Sequence, residues 1–316
     1  MLPHEIIARV PATSANLGPG FDCMGVALDL WNTFSLHNAA ETDNLQVAVT
    51  GEGADSIPTD GSNIVAETLL DEWRRLGRHD LLPGRGRGYR LTCTNAVPCG
   101  SGLGSSSTAI LGGLLLAHAA AAGPGFALDA QRQNLILSQA VALEGHGDNV
   151  APALLGGLIV VTHENGDVLT DRLPIAAMRV AVCVPDFKFS TSEARAALPA
   201  TYSRADAIYN IGRAMLVIEA LRNYDDSLLA RAMGDRIHEP YRLPRIPGAP
   251  AARQAALDAG AIAVALSGAG PGLLAVARAR HERIGQAMVE AFAAAGLRAR
   301  AWSLDVSAVG ATVALR

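Results

Sequence analysis

Between Pro98 and Thr108 the chain reads Pro-Cys-Gly-Ser-Gly-Leu-Gly-Ser-Ser-Ser-Thr, with glycines alternating at Gly100, Gly102 and Gly104 ahead of a hydroxyl run. Glycine lets a backbone turn tightly and approach a ligand with no Cβ in the way. The hydroxyls of Ser105, Ser106, Ser107 and Thr108 can cap a helix and donate hydrogen bonds. The Ala/Leu run Ala109–Ala122 behind them is a good helix former. A helix N-terminus offers unpaired N–H groups and positive dipole charge, which suits an anion and above all phosphate. The plain alternative is an ordinary glycine-rich turn ahead of a buried helix. Two phosphate sites can be set aside. A P-loop needs lysine in GxxxxGK[ST], and the single lysine, Lys188, is far from any glycine loop. A dinucleotide GxGxxG needs glycine where Ser105 stands, and no acid follows ~20 residues on within a βαβ unit. A nucleoside triphosphate with Mg2+ fits better, because loop-end hydroxyls can join one or two carboxylates and phosphate oxygens around that ion.

A second concentration of chemistry is Glu144-Gly-His-Gly-Asp-Asn-Val-Ala-Pro152, which gathers two acids, a histidine and an amide in nine residues. Glu144, at the end of a helix, is a candidate carboxylate for Mg2+; an exposed helix-end glutamate is the alternative. Phosphoryl transfer asks chiefly for positioning and charge neutralisation, with at most an acid near the attacking hydroxyl, and Asp148 could be that acid. Arg195 and Arg242 could bind a carboxylate through two parallel hydrogen bonds, or could simply be solvated.

The elements that must carry these residues read as a mixture of strands and helices. Ile6–Val10 reads as a strand stopped by Pro11, followed by a polar loop to Asp22. Leu45–Thr50 and Tyr89–Thr94 alternate as strands, and the latter delivers the chain to the glycine loop. Pro83–Gly88, with Arg85 and Arg87, reads as a solvated turn. Helices are expected over Ala66–Leu76, Asp129–Glu144, Ala205–Leu221 and His281–Ala295, and one beginning at Thr191 with Thr191 or Ser192 as its cap. Ser267-Gly-Ala-Gly-Pro-Gly272 is a second glycine turn. No regular βαβ beat emerges, so the fold class is α+β. A composition shift near Asp171–Met178 divides the chain into residues 1–170 and 171–316.

Composition narrows the setting. The 316 residues are 50% apolar and 18% charged, which describes a folded chain. A net charge of −4 and the lack of any basic stretch or tail argue against nucleic acid and against an anionic membrane. Cys23, Cys93, Cys99 and Cys183 form no CxxC pair, so a reduced, cytoplasmic protein is expected. No signal peptide is recognisable. The longest apolar stretch, Ala109–Ala122, falls short of the ~20 residues a membrane span needs and contains His118.

Three segments together resemble the GHMP kinases: Pro11-Ala-Thr-Ser-Ala-Asn-Leu-Gly-Pro-Gly-Phe-Asp22, Pro98–Thr108 and Ser267-Gly-Ala-Gly-Pro271. The loop Glu144–Pro152, Thr191-Ser-Glu-Ala-Arg195 and Glu239-Pro-Tyr-Arg242 are similar to the homoserine kinase branch of that family. The resemblance implies two α+β domains, the first like ribosomal protein S5 and the second a ferredoxin-like sandwich. It implies ATP-dependent phosphorylation of the L-homoserine hydroxyl, a step towards threonine, and a homodimer. By the same resemblance the loop from Pro98, Cys99, Gly100, Ser101, Gly102, Leu103 and Gly104 to Thr108 wraps the phosphates of ATP. Ser106 and Glu144 hold Mg2+, and Asn63 contacts adenine. Arg195 and Arg242 pair the carboxylate of homoserine, while Asp22 with Asn16 takes its ammonium. His146, Asp148, Asn149 and Thr191 line the hydroxyl end, and Gly268 belongs to the substrate pocket. Ser107 and Thr108 depart from the small Ala/Gly residues usual in the family at those positions.

Overall fold

In the computed structural model, which describes residues 4–39, 41–84 and 86–316, the chain opens with two long antiparallel strands, β1 (Glu5–Ala15) and β2 (Met24–Asn38). Pro11 does not end the first strand. The pairing shifts register between Pro11 and Ala12, and such a bulge accommodates a residue that has no ladder N–H. After β3 (Leu45–Gly51) and α1 (Ile64–Arg75), β4 (Tyr89–Asn95) inserts between β2, antiparallel, and β3, parallel. Helices α2 (Ser105–Ala122), α3 (Ala130–Glu144) and α4 (Val150–Leu155) follow. Strands β5 (Leu158–Glu164) and β6 (Asp167–Leu173) then widen the sheet beside the first half of β2. Arg85 of the arginine turn lies outside the described residues.

The second half begins with β7 (Arg179–Pro185), α5 (Thr191–Ala196), α6 (Arg204–Asn223), α7 (Asp226–Ala232), α8 (Glu239–Arg242) and α9 (Ala249–Asp258). It continues through β8 (Ala263–Leu266), β9 (Leu273–Val276), α10 (His281–Ala294) and β10 (Ala299–Asp305). These strands form a four-stranded antiparallel sheet in the order β10-β7-β9-β8. The last strand, β11 (Thr312–Leu315), returns to pair with β1 in the first sheet. The division expected at residue 170 therefore falls inside β6, and the chain's end rejoins its beginning. Composition cannot register either fact, because both are matters of backbone pairing.

Three apolar clusters hold this together. One packs α1, α2, α3 and α4 on the inner face of β1, β2 and β4, with Trp73, Phe34 and Leu111 fully buried. A second joins the two halves: Leu17, Met24 and Leu28 meet Val182, Leu274 and Val217. The third seats α9 and α10 on the far face of the second sheet. Helix α2 runs through the first cluster. With the turn behind it, Ser105–Gly125 spans 21 residues and is long and apolar enough to cross a bilayer, contrary to the shorter stretch read from sequence. Its most apolar window is 72% buried in the protein's own interior, as a core helix is. His118, the polar residue within its Ala/Leu run, has a partner in Glu72 at 2.9 Å. Burial pushes the Glu72 carboxyl up, but Arg75, bonded to it twice at 2.7 Å, and His118 outweigh that and bring its pKa down to about 2.

Candidate active site

The glycine loop reaches its working shape by abutting two other turns. The Thr13 N–H donates to Leu103 O (3.1 Å), Gly272 N–H to Ser101 O (3.1 Å), and Gly268 N–H to Ala15 O (3.1 Å). Ser267 Oγ lies within hydrogen-bonding distance of both Ser14 Oγ (2.8 Å) and Gly102 O (2.7 Å). A Cβ on Gly102 would stand 2.1 Å from Ser267 O, and one on Gly104 would stand 2.1 Å from Thr13 Oγ1. Both glycines also have positive φ, +78° and +70°. Their small size is therefore a condition of this three-way contact.

Gly104 is the N-cap of α2 and supplies no side-chain bond, so the hydroxyls do not cap the helix as the sequence suggested. They lie inside its first turn, where Ser106 Oγ donates to Glu144 Oε2 (2.9 Å) and Ser107 Oγ to Glu144 Oε1 (2.8 Å). Both carboxylate oxygens are thus oriented by α2, although Glu144 ends α3. Gly145, with φ +84°, turns the chain directly after it. His146 Nδ1 lies 2.7 Å from Asp148 Oδ1, and its Nε2 lies 4.0 Å from Glu144 Oε1. Burial works against the imidazolium, but the Asp148 hydrogen bond and the charges of Asp148 and Glu144 outweigh it, so the His146 pKa is raised. Asp148 is itself buried, and its backbone sits so close to β2 that a Cβ on Gly25 would fall 1.8 Å from Asp148 O. Asn149 Oδ1 accepts from Thr13 Oγ1 at 2.8 Å, which ties the acid-bearing loop to β1.

On the opposite wall the sequence distances close completely. Arg195, on α5, makes a two-pronged ion pair with Asp22 at 3.0 and 3.1 Å. The α5 helix begins with a capping box between Ser190 and Glu193, so the cap is Ser190 and Thr191 is the first helical residue. Asn16 Oδ1 accepts the Asp22 N–H (2.9 Å) while its Nδ2 donates to Gly268 O (2.8 Å), so Asn16 holds Asp22 in place. Arg242, on α8, is buried. Its Nε donates to Ala194 O at 3.2 Å, its guanidinium lies over Phe21 at 5.0 Å, and its Nη1 is 3.4 Å from His238 Nδ1. Burial lowers its pKa, opposed by the charge of Asp22. His238 Nε2 in turn meets Gly18 O at 2.9 Å, so a fully buried imidazole links the Arg242 guanidinium to the Gly18–Asp22 turn.

One cavity collects most of these groups. Gly100, Ser101, Gly102, Gly104, Ser105, Ser106 and Glu144 form one side, His146, Asp148 and Asn149 the floor, and Asn16, Asp22, Thr191, Arg195, Arg242 and Gly268 the other side. Pro98 and Cys99 line an adjoining cleft of about 1230 Å³ between the halves, which shares Gly100, Phe189 and Ser190 with the cavity. Leu103 and Thr108 are buried instead, Thr108 bonded to Asn32 and Ser105 O. Ser107 does not line the cavity and donates to Glu144 Oε1. Asn63 does not line either space: it is the N-cap of α1, accepting from Val65 and Ala66 N–H and donating to Pro58 O, and it is buried. Sequence reasoning missed Thr13, Ser14, Phe21, His238 and Ser267. Four of them stand inside quoted motifs and His238 directly before one, but nothing in a hydroxyl or a ring tells which loop it will fasten.

Both halves match the GHMP kinase models, the N-terminal domain over residues 63–157 and the C-terminal domain over residues 217–294. The chain belongs to the GHMP kinase family. Within it, the chain is 43% identical to the homoserine kinase of Desulfitobacterium hafniense, over 96% of this chain and 98% of that one. It is 38% identical to the homoserine kinase of Moorella thermoacetica, over 97% and 99%. The crystal structure of homoserine kinase from Cytophaga hutchinsonii superposes with a TM-score of 0.84 at 28% identity, over 99% of this chain and 98% of that one.

Proposed function

We infer that this chain transfers the γ-phosphoryl group of ATP to the side-chain hydroxyl of L-homoserine, giving O-phospho-L-homoserine and ADP. The observation that supports this reading is a cavity with the glycine loop at the N-terminus of α2 and Glu144 on one side and a buried arginine beside an Asp–Arg pair on the other. ATP brings charge to a loop without lysine, so its phosphates rely on backbone N–H groups and the α2 dipole. The nucleoside end extends past Pro98 and Cys99 into the adjoining cleft. Among the described residues no cluster of three or more His, Cys, Asp or Glu could hold a metal ion. The donor set of one hydroxyl and one carboxylate nevertheless suits Mg2+, which keeps waters and takes phosphate oxygens as further ligands. Ser106 and Glu144 would hold it, and it would neutralise charge on the phosphates.

The acceptor is a zwitterion, and its site carries both signs. Arg242 and Arg195 pair its carboxylate, and Asp22 pairs its ammonium, which requires the free-state Asp22–Arg195 contact to open or widen. Asp148 faces the hydroxyl end. It orients the attacking hydroxyl and offsets the charge of the departing proton, with His146 fixing its carboxylate and Asn149 anchoring the loop through Thr13. Homoserine oxygen then attacks the γ-phosphorus as the bond to the ADP oxygen breaks, and the hydroxyl proton passes to an oxygen of the transferred phosphoryl group, the roles of the protein being alignment and electrostatics. A coupled ADP-release assay with L-homoserine, mevalonate, galactose and shikimate tests the reading: turnover is expected with homoserine, and preference for another acceptor refutes it. We also read the protein as a cytoplasmic homodimer.

A further inference from the structure

Arg242 is 2% exposed and yet lines the cavity, so its charge is held in the interior and its donors are aimed by what surrounds them. Nε donates to Ala194 O and Nη1 faces His238 Nδ1, while among the described residues Nη2 has no hydrogen-bond partner. That nitrogen is left for a carboxylate in the cavity, and its direction depends on the contacts that fix the other two. Among the described residues His238 is the one side-chain acceptor that the guanidinium meets.

The imidazole of His238 is itself locked from several sides. The Asp235 carboxylate accepts the N–H groups of Ile237 (3.0 Å), His238 (2.8 Å) and Glu239 (2.7 Å), which fixes the backbone that carries the ring. The ring stacks on Phe21, with centroids 5.2 Å apart and planes 23° apart, and its Nε2 meets Gly18 O at 2.9 Å. Phe21 and Gly18 belong to the turn that ends at Asp22. We propose that His238 is the positioning residue of the acceptor site: its Nδ1 lone pair directs the Arg242 guanidinium at the substrate carboxylate, and its Nε2–H ties that arginine to the turn bearing Asp22. A carbonyl oxygen can only accept and a guanidinium can only donate, so both neighbours select the same tautomer, with the proton on Nε2. Asp235, 3.7 Å from Nε2, already has its oxygens taken up by the three backbone N–H groups and by Asn210 Nδ2. One buried ring therefore sets the spacing between the group that receives a carboxylate and the group that receives an ammonium. That spacing suits an acceptor whose two charges sit on one carbon, as in an α-amino acid, and a site held by such a supporting contact discriminates better than one left loose.

This role rests on homoserine being the acceptor, and two kinds of measurement keep the two apart. The first is steady-state kinetics on the full chain. His238→Gln keeps an N–H where Nε2 stands but loses the acceptor at Nδ1; it is expected to raise the homoserine KM about tenfold, the order set by losing a hydrogen bond to a charged group. The ATP KM and kcat should stay within about twofold, since only acceptor binding is touched. His238→Asn places an oxygen where Nδ1 stands and is expected to bring the homoserine KM back to within about threefold of wild type. In an Arg242→Leu background, His238→Gln should change the homoserine KM by less than about twofold, because a residue that acts through Arg242 then has nothing left to position. Equal losses for both substrates, an Asn variant no better than Gln, or additive effects with Arg242→Leu each overturn the role. The second measurement is a long-range 1H–15N spectrum of the wild-type protein, which needs neither turnover nor a folded variant. A His238 ring protonated on Nε2 and bare on Nδ1 supports the role, and a proton on Nδ1 overturns it. Wild-type protein that leaves homoserine unphosphorylated while showing the Nε2–H ring refutes the acceptor and not the His238–Arg242 contact.

Discussion

Replacing Gly102 by alanine should cripple the enzyme, while the same change at Gly100 separates two causes that usually travel together. Both residues hold positive φ, +78° and +62°, so each alanine bears the left-handed backbone cost of about 1–2 kcal/mol. Only at Gly102 does the new Cβ meet protein: Ser267 O would be 2.1 Å away, and Gly270 O 3.1 Å away. Ordinary contact begins near 3.4 Å, so the loop must retreat by more than 1 Å, and the obstacle is a backbone carbonyl that no rotamer can remove. Overpacking of this kind adds about 1–3 kcal/mol, for a total of about 2–5 kcal/mol. At about 2–4 °C per kcal/mol, Gly102→Ala should lower Tm by roughly 5–15 °C and Gly100→Ala by only a few degrees. A displacement of ~1 Å in a phosphate-aligning loop should also cost kcat/KM about 100-fold. Differential scanning calorimetry and steady-state kinetics on both variants give the answer. If Gly102→Ala matches Gly100→Ala in Tm and keeps kcat/KM within about threefold of wild type, the loop does not lean on the Ser267 turn and the reasoning fails.

Three further outcomes follow from the same geometry. Arg242→Leu should raise the KM for homoserine far more than that for ATP, by about 100-fold or more given the ~2–5 kcal/mol carried by a buried charge pair, and equal effects on both substrates would contradict its place on the acceptor side. Ser107→Ala should leave the homoserine KM alone but raise the Mg2+ concentration needed for half-maximal rate several-fold, because one oxygen of Glu144 loses its donor; Mn2+ binding followed by electron paramagnetic resonance gives an independent reading. The raised pKa of His146 means that its contact with Asp148 stabilises the fold fully below the ordinary histidine pKa and loses that contribution as pH rises through the folded value. The Tm deficit of His146→Gln should therefore be largest near about pH 6 and shrink by about pH 9, and a deficit independent of pH would show that the charge plays no part.

The sequence by itself determined the kind of chemistry. Alternating glycines before a hydroxyl run announce an anion site because backbone freedom and helix-end polarity are local properties, carried by neighbours in the chain. The lysine census and Ser105 excluded two phosphate sites for the same local reason, and Glu144, His146, Asp148 and Asn149 were legible as acids, a histidine and an amide gathered in one short loop. Helix limits were readable where caps are local, as at Asp129 and Gly145 around α3. What neighbours cannot state is which remote groups meet. The partner of Arg195 is Asp22, 173 residues away, and the partner of Asn16 is Gly268, 252 residues away. The same remoteness hid His238 behind Arg242 and Thr13 behind Asn149. Asn63 caps α1 through the N–H groups of Val65 and Ala66, a local contact, whereas remoteness turned Ser107, an oddity in sequence, into a donor to Glu144, 37 residues away. The return of β11 to the first sheet is of this kind too, since strand pairing rewards backbone groups that carry no sequence signature. A motif proposes a ligand through local backbone chemistry; only folding, which brings three turns and two arginines around one space, decides which side chains touch it and which merely hold those that do.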